Sequence, residues 1–244
     1  MFEYQLIRSK RRKTLSLQVK YGQVTVRAPY YVTSAFIDTF INEKSAWLRA
    51  KIAEQQCLSA PLNYRQDAGI LLLGEPATLN ISIAKQASVT VSDELSADNG
   101  VVRQLNIALS ERVNTRLKDP TAKAEQIKKQ LERYFKQQAQ ELIFERLEVI
   151  CQQTSLTPTK IKIRQYRSRW GSCNNRGEVS FNYLLMMTPL FVIDYVIVHE
   201  LCHLVHLNHS KCFWQLVAQH SPNYKIAKQW LSDHQVKLHW QKPS

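Results

Sequence analysis

The chain has 244 residues, 44% hydrophobic and 22% charged, with a formal net charge of +13, the balance of a soluble globular protein with room for one large domain or two small ones. No segment approaches the roughly 18 uninterrupted apolar residues of a membrane span, and no apolar stretch of signal-peptide length follows the charged N-terminus, so a membrane role is excluded and a cytoplasmic protein is expected. The five cysteines (57, 151, 173, 202, 212) are odd in number and form no CxxC pair, which excludes a disulfide framework and a thiolate zinc knot and fits reduced thiols.

Period-two alternation predicts strands over 14–19, 23–27, 78–83 and 88–92, with Gly22, Gly69 and Asn99-Gly100 as turns between them. Residues 33 to about 57 read as a helix with Phe36, Phe40, Trp47 and Leu48 on one side. Together these make a β-rich module over 1–118. Asp119-Pro120 is a good helix start, and a long amphipathic helix follows to about 153, apolar at Ile127, Leu131, Tyr134, Phe135, Leu142, Ile143 and Leu147. The domain boundary is expected there, with a second domain over 119–244. Residues 160–164 alternate basic and apolar as a half-buried strand, with 177–182 as the expected hairpin partner. A short helical piece around Leu184, a break at Thr188-Pro189, an apolar helix from Phe191 and a last helix from about 223 to 236 complete the chain.

The positive charge is unevenly placed. No acidic residue falls between Glu148 and Glu178, yet Lys160, Lys162, Arg164, Arg167, Arg169 and Arg176 do. Such a segment attracts a nucleic acid or a phosphate-bearing substrate, or is a solvated basic face; charge alone does not choose. The cluster Arg8, Lys10, Arg11, Arg12 and Lys13 is open in the same way, between a nucleotide or nucleic-acid contact and an edge charged against strand pairing. Neither a glycine-rich phosphate loop nor a zinc finger or RNA-recognition signature accompanies them.

All seven histidines fall between 199 and 239, and His199, His203, His206 and His209 share one run. On a helix, residues four apart lie on one face a turn apart, so His199 and His203 can address a single ion while Glu200 works on its water as a general base. The apolar stretch before them, 191–198, is able to bury such a helix and hold the pair rigid. A catalytic zinc takes three protein ligands and keeps one open position. For the third, His206 lies about 10 Å along a straight helix, at 1.5 Å per residue, and is too far. His209, ten residues after His199, converges only if the helix ends after about Val205, and Asn208 tolerates the left-handed conformation found at such an end. If the helix runs on, the remaining candidate is Asp233, the sole acid after Glu200. Cys202 points away from the ligand face and is read as packing.

The strings Arg167-Ser-Arg-Trp-Gly-Ser-Cys173, then Asn182, then Asp194-Tyr-Val-Ile-Val-His-Glu-Leu-Cys-His-Leu204, and Asn208-His-Ser-Lys-Cys-Phe-Trp214 resemble the YgjP-like metallopeptidase family of predicted metal-dependent hydrolases. The opening Leu6-Ile-Arg-Ser-Lys-Arg-Arg-Lys-Thr-Leu-Ser-Leu17 and Val26-Arg-Ala-Pro29 are similar to its N-terminal region, and a more distant likeness extends to the SprT-like and WLM groups. The resemblance implies an α+β fold with a zincin-like core, Zn2+ held by His199, His203 and His209, and Glu200 as base.

Arg167, Arg169 and Asn182 are candidate substrate-binding residues, since a zincin receives an extended substrate along a strand upstream of the metal helix. Trp170-Gly171 reads equally as a structural turn. Either arginine, Tyr224 or His220 could stabilise an oxyanion, and Phe213, Trp214 and Trp230 are assigned to the core. The reading is a zinc-dependent hydrolase acting first on peptide or protein. The alternative is hydrolysis of nucleotides or other phosphate substrates, and the third is a nonenzymatic nucleic-acid-binding protein with a structural zinc, against which the intact Glu200 argues. The oligomeric state is left open.

Overall fold

The structure is a computed structural model that describes residues 3–20, 23–49, 64–95, 101–235, 237–238 and 240. It is an α+β protein with two compact units, Met1–Ala60 and Pro61–Ser244. Cys57 and the turn residues Gly22, Asn99 and Gly100 lie outside the described residues, as does the end of the helix expected to reach 57.

In the first unit, strands β1 (Tyr4–Ser9), β2 (Ser16–Lys20) and β3 (Gln23–Pro29) form a sheet of order β1-β3-β2. β2 and β3 are antiparallel and β1 joins β3 in parallel. Alternate residues Val24, Val26 and Ala28 of the central strand are buried, and helix α1 (Ser34–Glu43) lies in the same core. Thr33 caps α1, its Oγ1 accepting from the Phe36 amide, and residues 45–49 are again helical. The core takes Ile37, Ile41 and Leu48, while Phe36 and Trp47 are 59% and 43% exposed. This corrects the expected stripe at Phe36 and Trp47, while Leu48, expected on the same side, is buried. The sets 36/40/47 and 37/41/48 have identical spacing, so periodicity cannot choose between them, and the aliphatic set suits a shallow face of valine and alanine. Of the five charges between 8 and 13, Lys10 Nζ lies over the Tyr30 ring at 5.9 Å, and two arginines hydrogen-bond within the unit. Arg8 donates to the carbonyls of Tyr30 and Val32, and Arg12 to Ser16 Oγ.

The second unit opens with β4 (Gly69–Leu72), β5 (Glu75–Ala84), β6 (Ser88–Leu95) and β7 (Val101–Ser110), in sheet order β4-β5-β7-β6 with β5 and β7 parallel. A short α2 (Glu111–Arg116) leads to α3 (Pro120–Thr154), which at 35 residues runs about 52 Å. Asp119 caps it by accepting from the Ala122 amide at 3.0 Å, and Ser155 ends it at φ +58° in the left-handed region. Its buried stripe (Ile127, Leu131, Phe135, Ala139, Ile143, Leu147, Ile150) shares one continuous core with Leu79, Leu105 and Ile107 of the first sheet and with Val179 and Phe181 further on. The compact units therefore divide at 60/61 and not at 118/119, because the strands of 69–110 bury their inner face in the core that α3 completes.

Strands β8 (Lys160–Arg164), β9 (Gly171–Cys173) and β10 (Glu178–Asn182) form a second sheet of order β8-β10-β9. The expected hairpin between 160–164 and 177–182 is corrected: β8 and β10 are parallel, and β9 is the antiparallel partner of β10. A 3-10 helix (Tyr183–Met187), wholly buried, leads into α4 (Leu190–Cys202), then α5 (Lys211–His220) and α6 (Tyr224–His234). Among the described residues no helix is long and apolar enough to cross a membrane.

The turn between β4 and β5 has φ +51° at Leu73 and +87° at Gly74, the sign pattern of a type I′ hairpin. Its amides donate to the 3-10 helix, Leu73 N to Met186 O at 2.7 Å and Gly74 N to Met187 O at 3.2 Å. A Cβ on Gly74 would lie 2.4 Å from Cγ of Pro189, the N-cap residue of α4. Gly74→Ala is therefore expected to lose about 1–3 kcal/mol of stability, measured by urea denaturation. An unchanged midpoint would show that the turn does not brace the start of α4.

Candidate metal centre

Helix α4 carries the centre because it has no polar face to show to water. Val192, Ile193, Tyr195, Val196, Ile197, Val198, Leu201 and Cys202 are all buried, so beyond its first turn the helix is enclosed over most of its surface. Arg146 of α3 grips it through both oxygens of Asp194, at 2.8 Å each. Only His199, Glu200 and His203 bring polar side chains to its far end. Cys202 is fully buried, as expected.

The helix stops at Cys202, with His203 as its C-cap. The chain tightens there, Leu204 N donating to Leu201 O and Val205 N to Cys202 O. This is earlier than the expected Val205, and Asn208 is not among the positive-φ residues. Asn208 acts through its side chain instead, its Oδ1 accepting from the Ser210 amide at 3.2 Å. Ser210 then caps α5, its Oγ accepting from the Phe213 amide.

That cap places His209 immediately before the N-cap, where a side chain packs on the fourth residue of the helix as a staple. His209 does so, stacking on Trp214 at 5.7 Å and 26°. His203 stacks on Phe213 at 4.5 Å and 26°. One ligand atom from each of His199, His203 and His209 lies within 4.8 Å of the others, and the Nε2 atoms of His199 and His209 are 3.1 Å apart. Two nitrogens bound to one tetrahedral zinc at about 2.0–2.1 Å lie roughly 3.3 Å apart, so the donor set fits such an ion. His206 enters through its main chain. Its carbonyl, which can only accept, takes a hydrogen bond from His203 Nδ1 at 2.9 Å, leaving the His203 Nε2 lone pair free. Asp233 is exposed on α6 and accepts from Gln229; it is not part of the group.

Burial, with the neighbouring His203, His209 and Lys228, pushes the His199 imidazole down to about 3. His209 is lowered by burial first, then by His203 and Lys228. Both rings are thus neutral at physiological pH, the form that binds metals. Glu200, 5% exposed, is pushed up to about 8 by burial, with Arg169 opposing.

These groups line a cleft of about 380 Å³ whose other walls include Arg169, Trp170, Gly171, Ser172, Cys173, Tyr195, Leu207 and Leu231. Of the expected substrate residues, Arg169 is in the cleft and Arg167 is exposed outside its lining. Asn182 is corrected: it is 2% exposed, its Nδ2 donates to the carbonyls of Tyr166 and Arg169, and its Oδ1 accepts from the Leu184 amide. A side chain so occupied ties loop to core and does not face a substrate. Neither Tyr224 nor His220 lines the cleft, and Tyr224 stacks on Trp214. Two contributors escaped the sequence reading. Tyr195, one helical turn before His199, has its hydroxyl 3.5 Å from His199 Nδ1, a neighbour that the i, i+4 spacing could have shown. Lys228, over the Trp214 ring at 4.1 Å, carried no signal.

Residues 13–234 match the family described as YgjP-like, metallopeptidase domain. No curated protein matches the chain. The crystal structure of the metallopeptidase zymogen of Pyrococcus abyssi abylysin is similar over 38% of this chain and 95% of that chain, at 20% identity and a TM-score of 0.35, too slight a likeness to carry an argument.

Gly171 sits where no side chain fits: a Cβ there would lie 2.6 Å from both Cγ and Oε1 of Glu200. Gly171→Ala should lose about 1–3 kcal/mol by overpacking, and combining it with Glu200→Ala should restore much of that loss. A double-mutant cycle by thermal denaturation measures the coupling; strictly additive losses would mean that β9 does not pack on Glu200.

Proposed function

The chain belongs to the YgjP-like metallopeptidase family, and we propose that it is a zinc-dependent peptidase in which His199, His203 and His209 hold the ion and Glu200 is the general base. The observation that carries this reading is the convergence of three ring nitrogens on one point beside a buried carboxyl. Three imidazoles are a borderline-soft donor set of the kind zinc prefers. When bound, zinc in such a site acidifies a water and polarises a carbonyl.

The protein's own residues do the rest. In its ionised form, which the charge of a bound cation would favour over the neutral form that burial alone favours, Glu200 accepts the proton of the attacking water on a carboxylate oxygen and returns it to the leaving amine. Its burial keeps bulk water from competing, and the β9 backbone at Gly171 fixes its side-chain position. β9 is an edge strand of its sheet and lines the cleft, so an extended peptide can add to it by main-chain hydrogen bonds. The four described cysteines are free, in keeping with a reducing compartment, and we place the protein in the cytoplasm.

One observation favours the second reading, a phosphate ester or anhydride substrate: the single lysine or arginine among the cleft-lining residues, Arg169, suits phosphate as well as carboxylate. The other basic residues of that segment give no such support. Lys160, Lys162 and Arg164 are on β8, the opposite edge of the sheet from β9, and Lys162 pairs with Glu178.

Glu200→Gln is expected to keep stoichiometric zinc and to lose turnover by about 10²–10⁴-fold. His209→Ala should lower zinc affinity at least about tenfold, whereas His206→Ala should retain zinc because only its carbonyl is used. Metal analysis of the folded variants, with assays for cleavage of unfolded protein and for phosphate release from nucleotides, checks these outcomes. Metal loss in His206→Ala alone would overturn the ligand set, and Glu200-dependent phosphate release without peptide cleavage would establish the second reading.

A further inference from the structure

We infer that Arg169 is an anion-recognising arm of the cleft, which binds a carboxylate that the substrate carries next to the scissile bond. The inference rests on the peptidase reading and adds a substrate class to it. Arg169 and Glu200 are the only Arg, Lys, Asp or Glu residues among those lining the cleft. An arginine beside a buried glutamate would ordinarily pair with it. Here the ion pairs among the described residues leave Arg169 without a carboxylate partner.

The arm is held in place from two directions. Its carbonyl accepts from the buried Asn182 Nδ2 at 3.2 Å, and the same amide group donates to the Tyr166 carbonyl at 3.1 Å, so the loop between β8 and β9 is clamped at both points. Its guanidinium lies over the Tyr166 ring at 5.7 Å, and the Tyr166 hydroxyl is bonded to Ser172 Oγ of β9 at 2.7 Å. A clamped main chain and a supported guanidinium remove much of the rotamer entropy that an arginine loses on binding. A planar fork of donors, pre-placed and unpaired, is suited to an incoming carboxylate, which it can meet with two parallel hydrogen bonds. Asn182 is thus a positioning residue for Arg169. Because Arg169 lines the same cleft as Glu200 and the three histidines, the bound anion lies close to the bond being cleaved. Two parts of a peptide supply that chemistry, the free C-terminal carboxylate and an Asp or Glu side chain flanking the scissile bond.

The test is a binding titration of the full-length zinc-loaded protein in the Glu200→Gln background, so that no bound peptide is cleaved, read by tryptophan fluorescence from Trp170 and Trp214. Two matched peptide pairs are used, one ending in a free acid or an amide, the other carrying internal Asp or Asn. One pair should show at least about tenfold tighter binding of the charged member, the scale of a charge-assisted hydrogen bond, and which pair does so identifies the source. Arg169→Ala should abolish that preference while leaving the neutral peptide's affinity unchanged, and Arg169→Lys should restore only part of it. Equal binding of both members in both pairs would overturn the inference. So would an Arg169→Ala variant that weakens charged and neutral peptides by the same factor, and so would competition by inorganic phosphate with no preference for either carboxylate. Since the readout is binding, failure of the protein to cleave peptides would count against the peptidase reading without altering what the titration says of Arg169.

Discussion

The candidate centre depends on the burial of α4. A helix so largely apolar can be satisfied only inside the protein, and past its exposed first residues, Leu190 and Phe191, the elements around it enclose it. The 3-10 helix before it is buried at every residue, α3 holds it through the Arg146–Asp194 pair, and Phe213 and Val217 of α5 are buried with it. The cost of setting three imidazoles and a carboxyl close together falls on a scaffold whose stability comes mainly from removing apolar surface from water. Rigidity of the candidate ligand positions follows from that burial, because close-packed side chains have little room for another rotamer.

The same helix has to end at the right place, and here local polar chemistry decides. A continuous α-helix carries His206 and His209 away from His199, and no amount of burial corrects that. The turn after Cys202 and the Asn208–Ser210 bond bring the chain back, and the Ser210 cap starts α5 in a frame that lays His209 on Trp214. Trp214 is itself covered by Tyr224 and by the Lys228 ammonium. That ammonium does two things at once: it fixes the ring supporting His209, and its charge disfavours protonation of His209 and His199. The placing of His209 beside His199 is therefore a capping problem solved with aromatic stacking.

What could be read from the sequence follows from the range of the interactions involved. The His199/Glu200/His203 geometry is set within one helical turn, and the start of α3 at Asp119-Pro120 within three residues; both were legible. The 60/61 division was not, because strands 69–110 look like a continuation of the first strands until the shared core with α3 is seen. Parallel pairing of β8 with β10 was also hidden, since adjacent alternating segments suggest a hairpin and only the intervening β9 shows otherwise. In α1 the aromatic and aliphatic stripes are one residue apart, and the choice between them is made by the sheet beneath.

Asn182 and Arg169 show most clearly how the sequence signal and the chemistry part company. Both stand in a polar, motif-rich stretch, and by residue type both suit a substrate. Burial separates their roles: at 2% exposed, an asparagine can avoid the cost of an unsatisfied amide only by bonding inside the protein, and it bonds to the loop that bears Arg169. The arginine, exposed and free of carboxylates, keeps its donors for something outside. Of the six basic residues between 160 and 176 only this one reaches the cleft, because the sheet order sends β8 to the far edge and β9 to the near one. The polarity of the segment is spread over the protein surface by topology, and a single residue, positioned by a buried amide, brings it to the candidate centre.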